Sequence, residues 1–204
     1  MVLPAPGPTA LWDVRLARLL IAPFLAITWV HPNHLTTLNL VVGQSVAVLF
    51  ALGEVWEAWI AAGLYMVSEV IDHMDGELAR LTNRTSRFGY LYDSTVDLVN
   101  KTALFLGIGL GLSRGAQWRW SIAFALVVVV ANMVTTVLRM QIEEHHGSAA
   151  VELPEFGGFS IEDFNYLIGP FVWALGVGWF FVPWGLGTIG FSLVAARDYL
   201  RWNR

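Results

Sequence analysis

The chain turns on Asp72–Asp97, DHMDGELARLTNRTSRFGYLYDSTVD. This stretch places Asp72, Asp75, Asp93 and Asp97 inside or against segments that otherwise read as membrane-spanning. A carboxylate at mid-membrane costs roughly 2.5–3.5 kcal/mol. Four uncompensated ones would cost on the order of 10 kcal/mol, as much as the whole stability of a typical domain. The group is therefore expected to be shallow and to share cations, and an ionisable cluster in such a place is a functional site by default.

Spacing adds geometry. Asp72, Asp75, Gly76, Ala79 and Arg80 fall at i, i+3, i+4, i+7 and i+8, one face of a helix. Gly89, Asp93 and Asp97 fall at i, i+4 and i+8 of a second one. Between them Thr82, Asn83, Thr85 and Ser86 form a turn-rich stretch that reverses the chain. Two antiparallel helices then present two Asp pairs to each other near a shared end. Hard oxygen ligands of this kind select Mg²⁺, Mn²⁺ or Ca²⁺. Four carboxylates suit two such ions, an arrangement used in phosphoryl transfer.

The pattern Asp-x2-Asp-Gly-x2-Ala-Arg-x8-Gly-x3-Asp-x3-Asp resembles the signature of the CDP-alcohol phosphotransferase family, and every fixed position is matched. The resemblance implies an integral membrane enzyme in which an alcohol hydroxyl attacks the phosphorus of a CDP-alcohol and CMP leaves. It implies two divalent cations, Mg²⁺ or Mn²⁺, on Asp72, Asp75, Asp93 and Asp97, with Asp97 as general base. Asp72, Gly76, Ala79, Arg80 and Gly89 would hold the nucleotide, the small residues admitting it to the helix backbone and Arg80 gripping phosphate. A homodimer is also implied. The substrates would be a CDP-alcohol and an alcohol, one of them a lipid: CDP-diacylglycerol with a polar acceptor, or alternatively CDP-choline or CDP-ethanolamine with diacylglycerol.

The rest of the chain agrees with a membrane setting. Its 204 residues are 56% hydrophobic and 14% charged, with a mean hydropathy of +0.58. It has no cysteine, which excludes disulfides, thiolate metal sites and a cysteine nucleophile. A net charge of −4 gives no reason to expect nucleic acid. The stretch MVLPAPGPT lacks a basic start followed by an apolar core, so no cleaved signal peptide is expected.

The expected fold is all-α, a single membrane-embedded domain over 1–204. An interfacial amphipathic helix at 9–30, carrying Trp12, Arg15 and Arg18, precedes about six spans at 35–52, 55–81, 86–112, 120–142, 161–181 and 184–200. Thr36 or Asn33 is expected to cap the first span, and Pro183 to separate the last two. In this arrangement Arg15, Arg18, Arg80, Arg84, Arg87, Arg139, Arg197, Arg201 and Arg204 share one side, which makes that side cytoplasmic and opens the Asp cluster towards it. The chain would sit in the cell (inner) membrane. Trp56, Trp59, Trp118, Trp120, Trp179 and Trp184 collect at the opposite ends as an aromatic belt. Gly107-x3-Gly111 allows close helix packing.

Other residues carry weaker signals. Glu69 and Lys101 each lie one turn deeper than the aspartates and are candidates for an ion pair supporting the metal site. Arg139 faces either the substrate cavity or a lipid phosphate. Arg84 and Arg87 read as interfacial anchors, His73 as a variable position, and Glu143, Glu144, His145 and His146 as a solvated helix end. Glu162 and Asp163 read as the start of the fifth span. The acidic stretch from Glu143 to Asp163, with Glu152 and Glu155, leans towards a neutral or cationic acceptor head group. Two rival readings are an intramembrane prenyltransferase, which would keep its Asp motifs far apart, and a divalent-cation transporter, which would need polar groups across the whole membrane.

Overall fold

A computed structural model of the chain describes residues 12–27, 29–147, 150–151, 155–156 and 159–202. The N-terminal stretch, the first residues of the expected 9–30 helix, Glu152 and Arg204 lie outside the described residues. The described chain is almost all helical: α1 (Trp12–Ile21), α2 (Pro32–Leu52), α3 (Val55–Leu81), α4 (Arg87–Ser113), α5 (Ser121–His146), α6 (Ile168–Leu175) and α7 (Val177–Trp202). Short 3₁₀ segments occupy Ala22–Ala26, Ala116–Trp118 and Ile161–Leu167. A small antiparallel ribbon, β1 (Glu155–Phe156) and β2 (Phe159–Ser160), precedes the last of these.

Helices α2, α4, α5 and α7 are long and apolar enough to cross a bilayer, which makes this an integral membrane protein. Helix α3 is 27 residues long, as is α4, but acidic and basic groups crowd its last third.

The C-terminal half departs from the expected six spans. The stretch 161–181 is not one helix. It is a 3₁₀ segment followed by the eight-residue α6, which stops at Gly176 with φ 92°, a left-handed backbone that side chains oppose. Pro183 separates nothing: α7 runs through it for 26 residues. The one backbone bond a proline removes is tolerable in a membrane helix supported by neighbours. Trp184 consequently leaves the expected belt and packs against Phe180 and Phe105, ring centroids 4.6 and 4.8 Å away. Glu162 and Asp163 fall in the 3₁₀ segment rather than at the start of a span. Helix α5 continues through Glu143–His146 to Gly147 (φ 85°), so those four residues form a helix end.

Cap chemistry also differs at α2. His31 is its N-cap, its ring accepting from Asn33 N while the His34 ring accepts from His31 N, each at 3.3 Å. Thr36 is thereby released for another task. Helix α1 lies on α3, burying Ala17 and Ile21 with Met74 and Leu78 while Leu19 and Leu20 stay exposed.

The main core joins α2, α3, α4, α5, α6 and α7 around Phe105, Phe181, Ile108, Val128 and Val172. In lipid, burying apolar side chains gains little over the acyl chains outside, so close backbone approach and interhelical hydrogen bonds matter more. Both occur on α4. Gly107 and Gly111 face the backbone carbonyls of Ala47 and Phe50 on α2, where any Cβ would collide. Ser121 Oγ donates 2.6 Å to Gly109 O, pinning α5 to the other side. Gly107→Ala should therefore lower the thermal unfolding temperature of the detergent-solubilised protein, by the equivalent of about 1–3 kcal/mol for overpacking. Gly190→Ala, with open space around it, should be neutral or stabilising in the same measurement.

Candidate active site

The last third of α3 and the first third of α4 face each other across the Thr82–Ser86 turn. Asn83 adopts φ 53° there, and Ser86 caps α4 by accepting from Gly89 N at 3.0 Å. The hairpin brings Asp72, Asp75 and Asp93 together, with one carboxylate oxygen from each lying within 4.8 Å of the others. Oxygens on opposite sides of an octahedral Mg²⁺ or Mn²⁺, each roughly 2.1 Å from the ion, stand about 4.2 Å apart, so the spacing fits one such cation. Asp93 Oδ1 adds a second sign: it is buried and accepts no hydrogen bond among the described residues. Carboxylates this close repel one another unless a cation or proton intervenes.

Asp97 stands one turn below Asp93, with Lys101 Nζ 2.9 Å from its Oδ2. Glu69 Oε2 accepts from Asn165 Nδ2 at 3.0 Å. Glu69 and Lys101 also line a small cavity with Asp72, Asp97 and Tyr65. Lys101 thus pairs with Asp97 and Glu69 with Asn165, and both side chains border that cavity.

Helix α2 supplies a set of supporting residues that sequence reasoning missed. Thr36 Oγ1 donates to Asp75 Oδ2 at 2.6 Å. Asn39 Nδ2 donates to Asp72 Oδ1 at 2.9 Å. Ser68 Oγ donates to Asn39 Oδ1. Asn100 Nδ2 donates to Asn39 O at 3.1 Å, and Gln44 Nε2 to Asn100 Oδ1 at 2.9 Å. Thr36, Asn39, Ser68 and Asn100 are all buried. Gly43 makes room, since a Cβ there would collide with the Asn100 amide. Thr36 and Asn39 each satisfy one carboxylate oxygen, and Ser68, Asn100 and Gln44 hold Asn39 and one another in place. A signal was present: Thr36, Asn39 and Gly43 recur at i, i+3 and i+7, one face of a predominantly apolar span.

Gly76 and Ala79 keep the α3 face low. The Arg80 guanidinium lies over Gly76, Nη2 3.4 Å from where a Cβ would stand. Gly89 lies close to Ser86 Oγ and Asn33 Oδ1. His73 Nδ1 sits 2.8 Å from Glu69 O. Arg84 Nη1 donates to Val30 O at 2.9 Å, and Arg87 Nη2 lies 3.1 Å from Glu144 Oε1. These two arginines thus tie the turn to neighbouring segments.

A cavity of about 740 Å³ opens beside the cluster. Its wall holds the polar groups of Asp72, Asp93, Asp97, Lys101, Arg139 and Glu143 together with the aromatic rings of Phe105, Phe171, Phe180, Trp184 and Phe191. Arg139 belongs to this wall, its Nη2 2.5 Å from Val151 O and its guanidinium 5.2 Å from the Phe191 ring centroid. Tyr90 donates to Glu143 Oε2 at 2.6 Å across the α4–α5 edge.

This fold and carboxylate cluster define the protein's class. A family model for CDP-alcohol phosphatidyltransferase matches residues 29–195, and the chain belongs to that family of enzymes. An archaetidylinositol phosphate synthase of Pyrococcus horikoshii is 29% identical over 135 residues, covering 65% of this chain and 66% of that protein. A CDP-diacylglycerol–glycerol-3-phosphate 3-phosphatidyltransferase of Cereibacter sphaeroides is 39% identical over 72 residues, covering 35% and 33%. A phosphatidylinositol phosphate synthase of Cutibacterium acnes is 33% identical over 105 residues, half of each chain. The matches thus span a third to about two thirds of these curated relatives. Crystal structures of a Mycobacterium tuberculosis phosphatidylinositol phosphate synthase share the fold. The one with CDP-DAG bound has a TM-score of 0.61 at 18% identity, covering 93% of this chain and 90% of that one. The one in complex with manganese and citrate has a TM-score of 0.60 at 17% identity, covering 93% and 86%.

Because Thr36 holds the Asp75 carboxylate by a hydrogen bond from α2, Thr36→Val should weaken Mn²⁺ binding about tenfold, the lower range for loss of a supporting hydrogen bond. Mn²⁺ titration followed by electron paramagnetic resonance checks this, with circular dichroism confirming unchanged helix content.

Proposed function

We propose that this protein transfers a substituted phosphate from a CDP-alcohol, CDP-diacylglycerol, to the hydroxyl of a second alcohol, releasing CMP in phospholipid biosynthesis. One observation carries the reading: Asp72 and Asp93 of the carboxylate cluster, with Asp97, line the same cavity as a set of aromatic rings. A reaction joining a nucleotide diphosphate to a lipid needs both.

In this reading Asp72, Asp75, Asp93 and Asp97 hold two divalent cations, Mg²⁺ or Mn²⁺, whose charge when bound neutralises the diphosphate and the departing CMP. The fit of the cluster to one cation is supported by its oxygen spacing. Gly76, Ala79 and Gly89 admit the nucleotide to the helix surfaces, Asp72 contributes to the same site, and Arg80 contacts phosphate. Asp97 is the general base. Lys101 holds one of its oxygens, leaving the other to take the proton of the attacking hydroxyl. The hydroxyl oxygen forms the new bond to phosphorus, the bond from phosphorus to the CMP oxygen breaks, and the electron pair leaves with CMP. Glu69 supports the site from below. Arg139 faces the acceptor, held in place by Val151 O and Phe191.

The chain acts as a single membrane-embedded domain and as a homodimer, in the cell membrane, with the site open to the cytoplasm. Helix α1, with Arg15 and Arg18, lies in the interface on that side.

CMP release from the purified protein in detergent with Mg²⁺ or Mn²⁺ tests the reading. CDP-diacylglycerol with a panel of polar alcohols should yield CMP, and Asp97→Asn should reduce it at least about a hundredfold, the lower range for loss of a general base. CMP formed only from CDP-choline or CDP-ethanolamine with diacylglycerol would reverse donor and acceptor. No CMP from any pair would overturn the transferase reading.

A further inference from the structure

Glu77 occupies one of the open positions between Gly76 and Ala79, yet its side chain is only 3% exposed. Each of its oxygens carries a guanidinium. Oε1 takes Arg80, through Nε at 2.8 Å and Nη2 at 2.6 Å. Oε2 takes Nε of Arg18 at 2.6 Å. A buried carboxylate between two guanidiniums leaves a surplus of one positive charge, and of the two side chains Arg80 is the more exposed, 60% against 23%. The surplus is therefore presented on Arg80, whose Nη1 and Nη2 lie 3.5 and 3.4 Å from the Cβ position of Gly76. That puts the cation on the same helical face as Asp72, Asp75 and Gly76.

A long arginine that grips an anion loses rotamer freedom on binding. Gripped by Glu77, Arg80 has lost that freedom when the protein folds, and its guanidinium waits in one orientation with its outer edge unclaimed by the carboxylate. Arg18 comes from a different element. Helix α1 is seated on α3 by Ala17, Ile21, Met74 and Leu78, and that seating delivers Arg18 to Glu77.

We propose that Glu77 is a positioning residue that holds Arg80 for the diphosphate of the cytidine donor, and that Arg18 completes the hold, so the seating of the N-terminal helix on α3 sets donor affinity. This rests on the transferase reading. It connects α1 with one substrate and leaves the other alone.

The test is steady-state CMP release by the full chain in detergent, varying donor and acceptor separately, with CDP-diacylglycerol or whichever donor the wild type consumes. Glu77→Gln should raise the donor KM about tenfold, with acceptor KM and kcat within roughly threefold. Glu77→Asp should recover part of the loss. Arg18→Gln keeps the Glu77–Arg80 pair and should shift donor KM in the same direction by a smaller factor; if Glu77→Gln fails to fold, this variant decides. Unchanged donor KM in the folded variants would overturn the proposal while leaving the transferase reading intact. An equal rise in both KM values, or a fall in kcat alone, would also overturn it, since a general structural defect does not select one substrate. A wild type that releases no CMP from any donor would sink the transferase reading and this proposal with it.

Discussion

Three carboxylates within 4.8 Å of one another in a membrane protein are the constraint from which the rest follows. Their mutual repulsion and desolvation are tolerable only with donors on every side that lacks a cation. The donors come chiefly from α2, so α2 must lie tightly against both α3 and α4. Gly107 and Gly111 let α4 approach the α2 backbone, and Gly43 lets Asn100 fold over Asn39. The packing of the first half of the chain is thus dictated by the polar centre it surrounds.

The second half has a different task. Helices α4 and α5 form an antiparallel pair closed at both ends, by Ser121 with Gly109 at one and by Tyr90 with Glu143 and Arg87 with Glu144 at the other. The cavity occupies the face of that pair towards α6 and α7. Much of its aromatic lining comes from α7 around Pro183, the residue expected to end a span. A continuous α7 carries Trp184 and Phe191 along one wall, and a chamber suited to an apolar group is the result. Polar groups from α3, α4 and α5 and aromatic rings chiefly from α7 thereby line one cavity.

Much of the site was legible beforehand because it is local. Residues three, four and seven apart share a helix face whatever surrounds them, so the apposition of Asp72 and Asp75 with Asp93 could be read from one hairpin. Thr36, Asn39 and Asn100 were harder. Their side chains act at long sequence separation, and polar residues in an apolar span signal function without naming a partner. Glu77 was hidden differently: it stands at an open position of a motif, and one of its two partners, Arg18, lies 59 residues away. The C-terminal spans were misjudged because proline and glycine compete as breakers. Gly176 stops a helix through its left-handed backbone, whereas Pro183 removes a single donor from a helix that continues through it.

By itself, the sequence determined the membrane setting, the two-helix hairpin and the carboxylates on its facing surfaces, since hydropathy and helical period act within a dozen residues. Only the tertiary structure decided which side chains neutralise and orient those carboxylates, where the last helices begin, and that an aromatic chamber opens beside them. Those outcomes depend on contacts between distant segments, and the energy of such a contact exists only once the segments have been brought together.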